Sequence, residues 1–233
     1  MQLSSNSTRS NVVGYSAEAY RQRENGYSPE PIRDRLWNLV GDQVTGTVLD
    51  AGSGSGGWLK RLQQRSSIDK LISVDIVDDG ASQIEAVEFH IRDLSTTGLP
   101  CEDYSIDWMF AIEVMEHLAN PRHFIQEAKR SLKPGGKLVI TTPNNDSLRS
   151  RISLLLRGYY PAFCDHDYQV AGHITPILEV DLQRMATEAR FSDICFFYPL
   201  PGQIPGLSVR WQALLPNLQG KAWSDSLFAI LTA

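Results

Sequence analysis

The sequence predicts an α/β protein built on a doubly wound, mostly parallel sheet (Rossmann-like), with helices on both faces. Three observations predict it. Apolar runs of strand length alternate with stretches of helical periodicity from residue 45 to residue 191, as in successive β–α units. The fourth run, Ser105–Val114, is mostly apolar rather than alternating, which suits a strand covered on both faces. Four glycines fall within six residues directly after the first run, and sheets of this kind hold ligands beyond the carboxyl ends of their strands.

Each element has a local reason. The first dozen residues are polar, and residues 1–27 are expected to form a loose N-terminal segment. Ser28–Val40 reads as a helix with proline near its start. Thr45–Ala51 is the first strand, and "SGGWLKRLQQR" opens the helix after it. Lys70–Ile76, Val87–Asp93 and Ser105–Val114 are the next three strands. "NPRHFIQEAKRSLKPGG" is a helix with Asn120 as cap, Pro121 at its first position and Gly135–Gly136 as its stop. "KLVITTP" is the fifth strand, and "NNDSLRSRISLLLR" a further helix. The irregular stretch Gly158–Pro176 follows, then the amphipathic helix "ILEVDLQRMATEARF". "SDICFFYPL" and "SDSLFAILTA" close the sheet; no clear helix separates them, so they are expected to pair antiparallel. Between them, residues 200–222 read as an insertion with turn punctuation and a short helix. The 233 residues suffice for one domain with a buried core, so the whole chain is taken as a single domain.

Composition narrows the function classes. Hydrophobic residues make up 42% and charged residues 21%, the balance of an ordinary globular protein. A net charge of −5 supplies no general attraction for nucleic acid, and no nucleic-acid partner is expected. Cys101, Cys164 and Cys195 are odd in number and lack metal-ligand spacing. With no signal-peptide pattern and no apolar run long enough to span a bilayer, a cytoplasmic location is expected.

The glycine turn, "VLDAGSGSGGWLKRL", carries the chemistry. Gly52, Gly54 and Gly57 fit the G-x-G-x-x-G pattern of dinucleotide sites. Asp50 argues against a dinucleotide, because a carboxylate at the strand end repels a nearby pyrophosphate. It welcomes an ammonium group. S-adenosylmethionine has one, together with a sulfonium, a ribose and an adenine. Asp75 at the end of the second strand is placed for the ribose hydroxyls. Asp93 is read as closing the third strand, where it would accept the adenine amino group, with Leu94 offering a main-chain contact.

On "VLDAGSGSGGWLKRL", "SVDI", "HIRDL", "DWMFAIEVMEHLANPRHFIQEAKRSLKPGGKLVITTPN" and "DLQRMATEARF" the chain resembles the class I S-adenosylmethionine-dependent methyltransferases. The nearest branch it resembles is that of the ubiquinone-biosynthesis O-methyltransferases and related glycan and natural-product enzymes. The resemblance implies seven strands with the last antiparallel. It implies that Asp50, Gly52, Gly54 and Gly56 meet the methionine part of the cofactor, Asp75 the ribose and Asp93 the adenine; Ile76 and Leu94, next to the two acids, are also expected to bind the cofactor. Ala111, Ile112 and Glu113 would end the fourth strand beside the sulfonium. Ser53 stands where the family often has cysteine, a mild change.

An oxygen or nitrogen acceptor needs its proton removed. His117, just after the fourth strand, is the first candidate base; His166 and His173 are the second, with Asp165 and Asp167 able to orient an acceptor. Each also has a plain structural role open to it, as a packed or surface side chain. Tyr159, Tyr160, Phe163 and Tyr168 suggest that residues 157–176 form a lid over the acceptor, which is expected to be a small-molecule or glycan hydroxyl. The apolar stretch from Arg151 to Phe163, with Arg151 and Arg157 at its edges, reads either as a core helix or as a peripheral membrane contact. The main reading needs no metal. A second reading places a divalent cation on Glu113, Glu116 and His117 with His166 or His173, similar to the metal site of small-RNA 3′-end 2′-O-methyltransferases. A third is a non-catalytic cofactor-binding module. The oligomeric state is not written in the sequence.

Overall fold

The computed structural model describes residues 30–233; the expected loose segment 1–27 and the first residues of the expected first helix lie outside the described residues. The strands are β1 (Gly46–Ala51), β2 (Ile68–Asp75), β3 (Val87–Ile91), β4 (Ile106–Ile112), β5 (Leu132–Pro143), β6 (Asp193–Phe197) and β7 (Ser226–Thr232). They form one seven-stranded sheet in the order β3-β2-β1-β4-β5-β7-β6. The first five pair in parallel, and β7 runs antiparallel to both β5 and β6. The expected antiparallel closure is therefore observed.

The helices are α1 (Glu30–Val40), α2 (Gly57–Leu62), α3 (Pro121–Ser131), α4 (Leu148–Arg157), α5 (Asp165–Val170), α6 (Glu179–Glu188) and α7 (Trp211–Leu214). Strand alternation explains why they divide between two faces. Leu49, Met109, Ala111 and Ile140 point to one core, closed by Phe124 and Ile125 of α3 and Leu182 and Met185 of α6. Val48, Trp108, Phe110 and Val139 point to the other, closed by Ile32 and Leu36 of α1 and Trp58 and Leu59 of α2. With apolar cover on both faces, β4 has no polar side to show, which is why its sequence is nearly continuous.

Several boundaries differ from the sequence reading: β5 starts at Leu132 rather than Lys137, the stretch read as irregular contains α5, and four further differences bear on the site. β3 ends at Ile91, so Asp93 lies in the following turn. Its carboxylate accepts from Ser95 N at 2.8 Å, a local bond that competes with strand pairing. β4 ends at Ile112, because Glu113 adopts a left-handed φ of +55° and turns the chain out of the sheet. α3 ends at Ser131 rather than at Gly135–Gly136, because Leu132 already pairs with Ile106 of β4. α2 is only six residues long. Asn120 caps α3 as expected, accepting from His123 N at 3.2 Å.

Candidate functional site

The glycine turn is held by its neighbours before any ligand arrives. Gly52 N donates to Val74 O at 2.7 Å, and Gly54 N to the Asp75 carboxylate at 2.8 Å. Gly52 and Gly54 have φ of +74° and +51°, the left-handed region that favours glycine. A Cβ on Gly52 would lie 2.4 Å from Val114 Cγ2, so the turn packs directly on the segment after β4. Gly56, at φ +75°, precedes the first residue of α2. Ser53 Oγ accepts from Ser73 Oγ at 2.7 Å, giving the serine at this position a polar partner of its own.

Two buried carboxylates flank the turn. Asp50 is 2% exposed. Burial, and then the charge of Asp75, push its carboxyl up to about 7, while Arg33 pulls the other way. Asp75, also buried, caps the turn with both oxygens: one on Gly54 N, the other on Ile76 N at 2.7 Å and Val77 N at 3.4 Å. Burial raises its pKa, and these backbone donors oppose the rise. Arg33 is a residue that the sequence reading missed. A Cβ on Gly57 would lie 3.1 Å from its guanidinium, so α1 brings a cation to the turn from outside every motif. No local signal marks it; the contact is tertiary. Asp93 is half-buried, and its second carboxylate oxygen accepts from Thr96 Oγ1 at 2.9 Å. Leu94 is buried beside it.

Beyond β4 the chain makes a 3-10 turn, Met115–His117. Glu113 folds its carboxyl back onto Thr141 Oγ1, which donates at 2.9 Å. Glu116 is fully buried and accepts from Thr142 Oγ1 at 3.0 Å. Its other oxygen, Oε1, receives no donor among the described residues. Burial raises the pKa of both glutamates, and the neighbouring Glu113 charge pushes Glu116 further up. The pair therefore favours retaining a proton.

Segment 172–175 docks on this turn. Ile174 N and Thr175 N both donate to Glu116 O, at 2.9 and 3.0 Å. His173 is thereby brought to His117, with ring centroids 4.9 Å apart. His117 Nδ1 lies 3.2 Å from Gly172 O, and His173 Nδ1 lies 2.6 Å from Ala162 O. A carbonyl only accepts, so both Nδ1 atoms carry hydrogen, and in the neutral ring the lone pair is then on Nε2. Ligand atoms of Glu116, His117 and His173 all lie within 4.8 Å of one another.

The other expected residues stand apart from this cluster. His166 and Asp165 are exposed on α5 and do not join the grouping of Glu116, His117 and His173. Asp167 accepts from Cys164 Sγ at 2.9 Å. Of the aromatics, Phe163 packs on His173 at 5.5 Å and Tyr160 on Phe163 at 6.5 Å, whereas Tyr159 and Tyr168 are exposed. A cavity of about 160 Å³, lined by Asn144, Asn145, Arg149, Ser150, Ala162 and Asp225 among others, opens beyond the ends of β5 and β7. It does not lie over the glycine turn. Ala162 joins it to the histidines, because its carbonyl holds His173.

Comparison with known proteins identifies the family and the fold. A methyltransferase-domain family model matches residues 19–195. The malonyl-[acyl-carrier protein] O-methyltransferase 1 of Coxiella burnetii is 26% identical over 176 residues, 72% of this chain and 55% of that protein. The ubiquinone biosynthesis O-methyltransferase of Psychrobacter cryohalolentis is 28% identical over 160 residues, 62% of this chain and 58% of that protein. The chain thus spans little more than half the length of these relatives. A methyltransferase crystal structure from Archaeoglobus fulgidus superposes with a TM-score of 0.63 at 18% identity, covering 88% of this chain and 94% of that one. No helix among the described residues is long and apolar enough to cross a membrane. The chain belongs to the S-adenosylmethionine-dependent methyltransferases.

Proposed function

We propose that this chain catalyses O-methylation of a small-molecule or glycan hydroxyl, with His117 as the base and residues 157–176 as the acceptor lid. The observation that carries the reading is the pairing of His117 and His173 immediately after β4, each with Nδ1 held on a carbonyl.

The residues at the glycine turn fit S-adenosylmethionine. Asp50 is a buried carboxylate pushed up to about 7, short of positive charge, and an ammonium group supplies it. The turn offers glycine backbone for close approach, and Asp75 lies at the strand end where ribose hydroxyls are accepted. Ile76, Asp93 and Leu94 line the next strand ends, and Ile112 and Glu113 the end of β4. When bound, the cofactor supplies a methyl group already electrophilic through the attached sulfonium. The chain's own task is to align the acceptor and take its proton. His117 Nε2 accepts that proton, and His173 and Glu116 stand within reach to spread the resulting charge. The aromatic packing of Phe163 on His173 limits water at this point. The cavity beyond β5 holds the polar part of the acceptor. The O-methyltransferase names of two relatives support an oxygen acceptor. The acidic balance of the chain argues against nucleic acid. The three cysteines, Cys101, Cys164 and Cys195, are free, which suits a reducing cytoplasm. Residues 200–222 adjoin this region through Lys221, whose carbonyl accepts from Asn144 Nδ2 at 2.8 Å.

One observation favours a second reading. Glu116 Oε1 is buried without a donor among the described residues, and ligand atoms of Glu116, His117 and His173 all lie within 4.8 Å of one another. A divalent cation would give Glu116 Oε1 the partner it lacks and take the two imidazoles as ligands, with the carbonyls behind each Nδ1 orienting the rings. The ligand set would then be Glu116, His117 and His173, rather than Glu113 or His166.

The test uses the full chain with labelled S-adenosylmethionine over a panel of glycans, phenols and quinols. His117→Ala and His173→Ala are expected to lower turnover by about 10²-fold or more while leaving cofactor binding intact. Binding is read from quenching of Trp58, which lies in the first turn of α2. Activity that survives both substitutions refutes the base. Activity abolished by chelation and restored by Mg²⁺ or Mn²⁺ selects the cation. Binding without turnover over the whole panel selects the non-catalytic module.

A further inference from the structure

Helix α4 is amphipathic in the wrong sense for a helix packed on a core. It buries serines: Ser150 and Ser153 are buried, and their hydroxyls donate to Asn144 O and Tyr159 O at 2.8 and 2.9 Å. It exposes leucines: Leu154, Leu155 and Leu156 are 41%, 84% and 76% exposed, with Tyr159 exposed just beyond the helix end. The sequence reading left open whether this stretch was core; the structure shows that the leucines are not. Three consecutive leucines in water are unfavourable unless something covers them.

The charges on the same helix say what covers them. It carries Arg149, Arg151 and Arg157 and no acid. Arg149 pairs with Asp225, and Arg151 reaches Asp146 while remaining 65% exposed. Arg157 is exposed and has no acidic partner among the described residues. On the adjoining segment, Leu214 and Leu215 are also largely exposed. That segment is tied to α4 through Trp211, which packs on Trp223 at 5.0 Å, and the turn Lys221–Trp223 touches α4.

We propose that α4 docks on an anionic lipid bilayer surface, with Leu155 and Leu156 entering the acyl boundary and Arg151 and Arg157 meeting lipid phosphates. Apolar ridge and basic flank together suit that surface. A second copy of this chain suits it less. A two-fold interface sets the same patch against itself, so a helix with three arginines and no acid would face another of the same charge. The cavity at the foot of the helix is lined by Arg149 and Ser150. A docked bilayer would therefore present an amphiphilic molecule's polar head to the cavity while its tail stays in lipid. The docking does not depend on the acceptor chemistry proposed above.

The experiment is co-sedimentation of the full chain with phosphatidylcholine vesicles, with and without phosphatidylglycerol. Binding is expected to the anionic vesicles and to weaken in high salt. The double substitution Leu155→Glu, Leu156→Glu is expected to lower partitioning by about tenfold or more. Arg157→Glu is expected to lower it less, and only on anionic vesicles. Both sites are exposed, so the melting temperature and S-adenosylmethionine binding should not change, which separates this result from misfolding and from failure of the catalytic reading. No sedimentation of the native chain, or equal sedimentation of the leucine variant, overturns the proposal. So does a dimer, seen by light scattering, that the leucine variant dissolves without any vesicle binding.

Discussion

Replacing Asp50 by asparagine should make the empty protein more stable and the binding site worse. The carboxyl is 2% exposed, and its pKa rises from 3.8 to about 7 on folding, through burial first and the Asp75 charge second. That is a rise of about three units, and at about 1.36 kcal/mol per unit the ionised group costs the fold up to about 4 kcal/mol. Below pH 3.8 both folded and unfolded chains hold the proton, and the cost is absent. It grows as pH rises from 3.8 to 7 and is complete above that. Asparagine has the same shape and no charge, so Asp50→Asn should match the native chain near pH 4 and exceed it increasingly up to pH 8. The other buried acids titrate in both proteins and cancel in the difference. Urea denaturation at several pH values measures the gap. In the same samples, calorimetry with S-adenosylmethionine should show affinity falling by about 10- to 100-fold, the worth of one charge-assisted hydrogen bond. A variant that is less stable at pH 8, or that binds the cofactor as tightly as the native chain, refutes the assignment of Asp50 to the ammonium group.

Two further outcomes probe the turn itself. Gly52→Ala places a methyl 2.4 Å from Val114 Cγ2 at a φ of +74°. It should destabilise by about 2 kcal/mol, and adding Val114→Ala should recover the clash but not the roughly 1 kcal/mol of backbone strain, as a denaturation cycle will show. Asp75→Asn keeps only one acceptor where Gly54 N and Ile76 N each need one. A loss of about 1–3 kcal/mol in thermal or urea unfolding is expected, together with loss of cofactor affinity; an unchanged midpoint would show that the carboxylate does not hold the turn.

The sheet was legible because its signals are local. Each strand shows as an apolar run, and the glycine turn shows by composition. Even the antiparallel end was readable from the lack of a helix before β7. What was misread depends on competition between local and distant partners. Asp93 looks like a strand end, but its carboxylate binds Ser95 N and Thr96 Oγ1, and the strand stops two residues earlier. Glu113 looks like strand because its run is apolar, yet its left-handed φ turns the chain and sends the carboxyl to Thr141. The candidate site followed the same division. His117 was legible from its place after β4. Its partner was narrowed only to His166 or His173, fifty or so positions on, and the two differ by which one the Glu116 carbonyl draws in through residues 174 and 175. Arg33 left no mark at all, because only packing of α1 on the turn brings it there.

The carboxyls raised by burial run from the glycine turn to the histidines: Asp50 and Asp75, then Glu113 and Glu116. A fold that buries acids in this way is strained toward positive charge, and two kinds of cation would relieve it at different places. An ammonium group acts on Asp50, whereas a divalent ion acts on Glu116. Proton release tells them apart. A cation that lowers a raised carboxyl pKa expels the proton it held, and calorimetry in two buffers of different ionisation enthalpy counts it. Near pH 6, S-adenosylmethionine should release a proton from the native chain and none from Asp50→Asn, while Glu116→Gln leaves the count unchanged. Mn²⁺, if it binds, should show the reverse dependence. Release that is insensitive to Asp50 would mean that the ammonium group rests elsewhere, and the electrostatic case for this cofactor pose would fall with it.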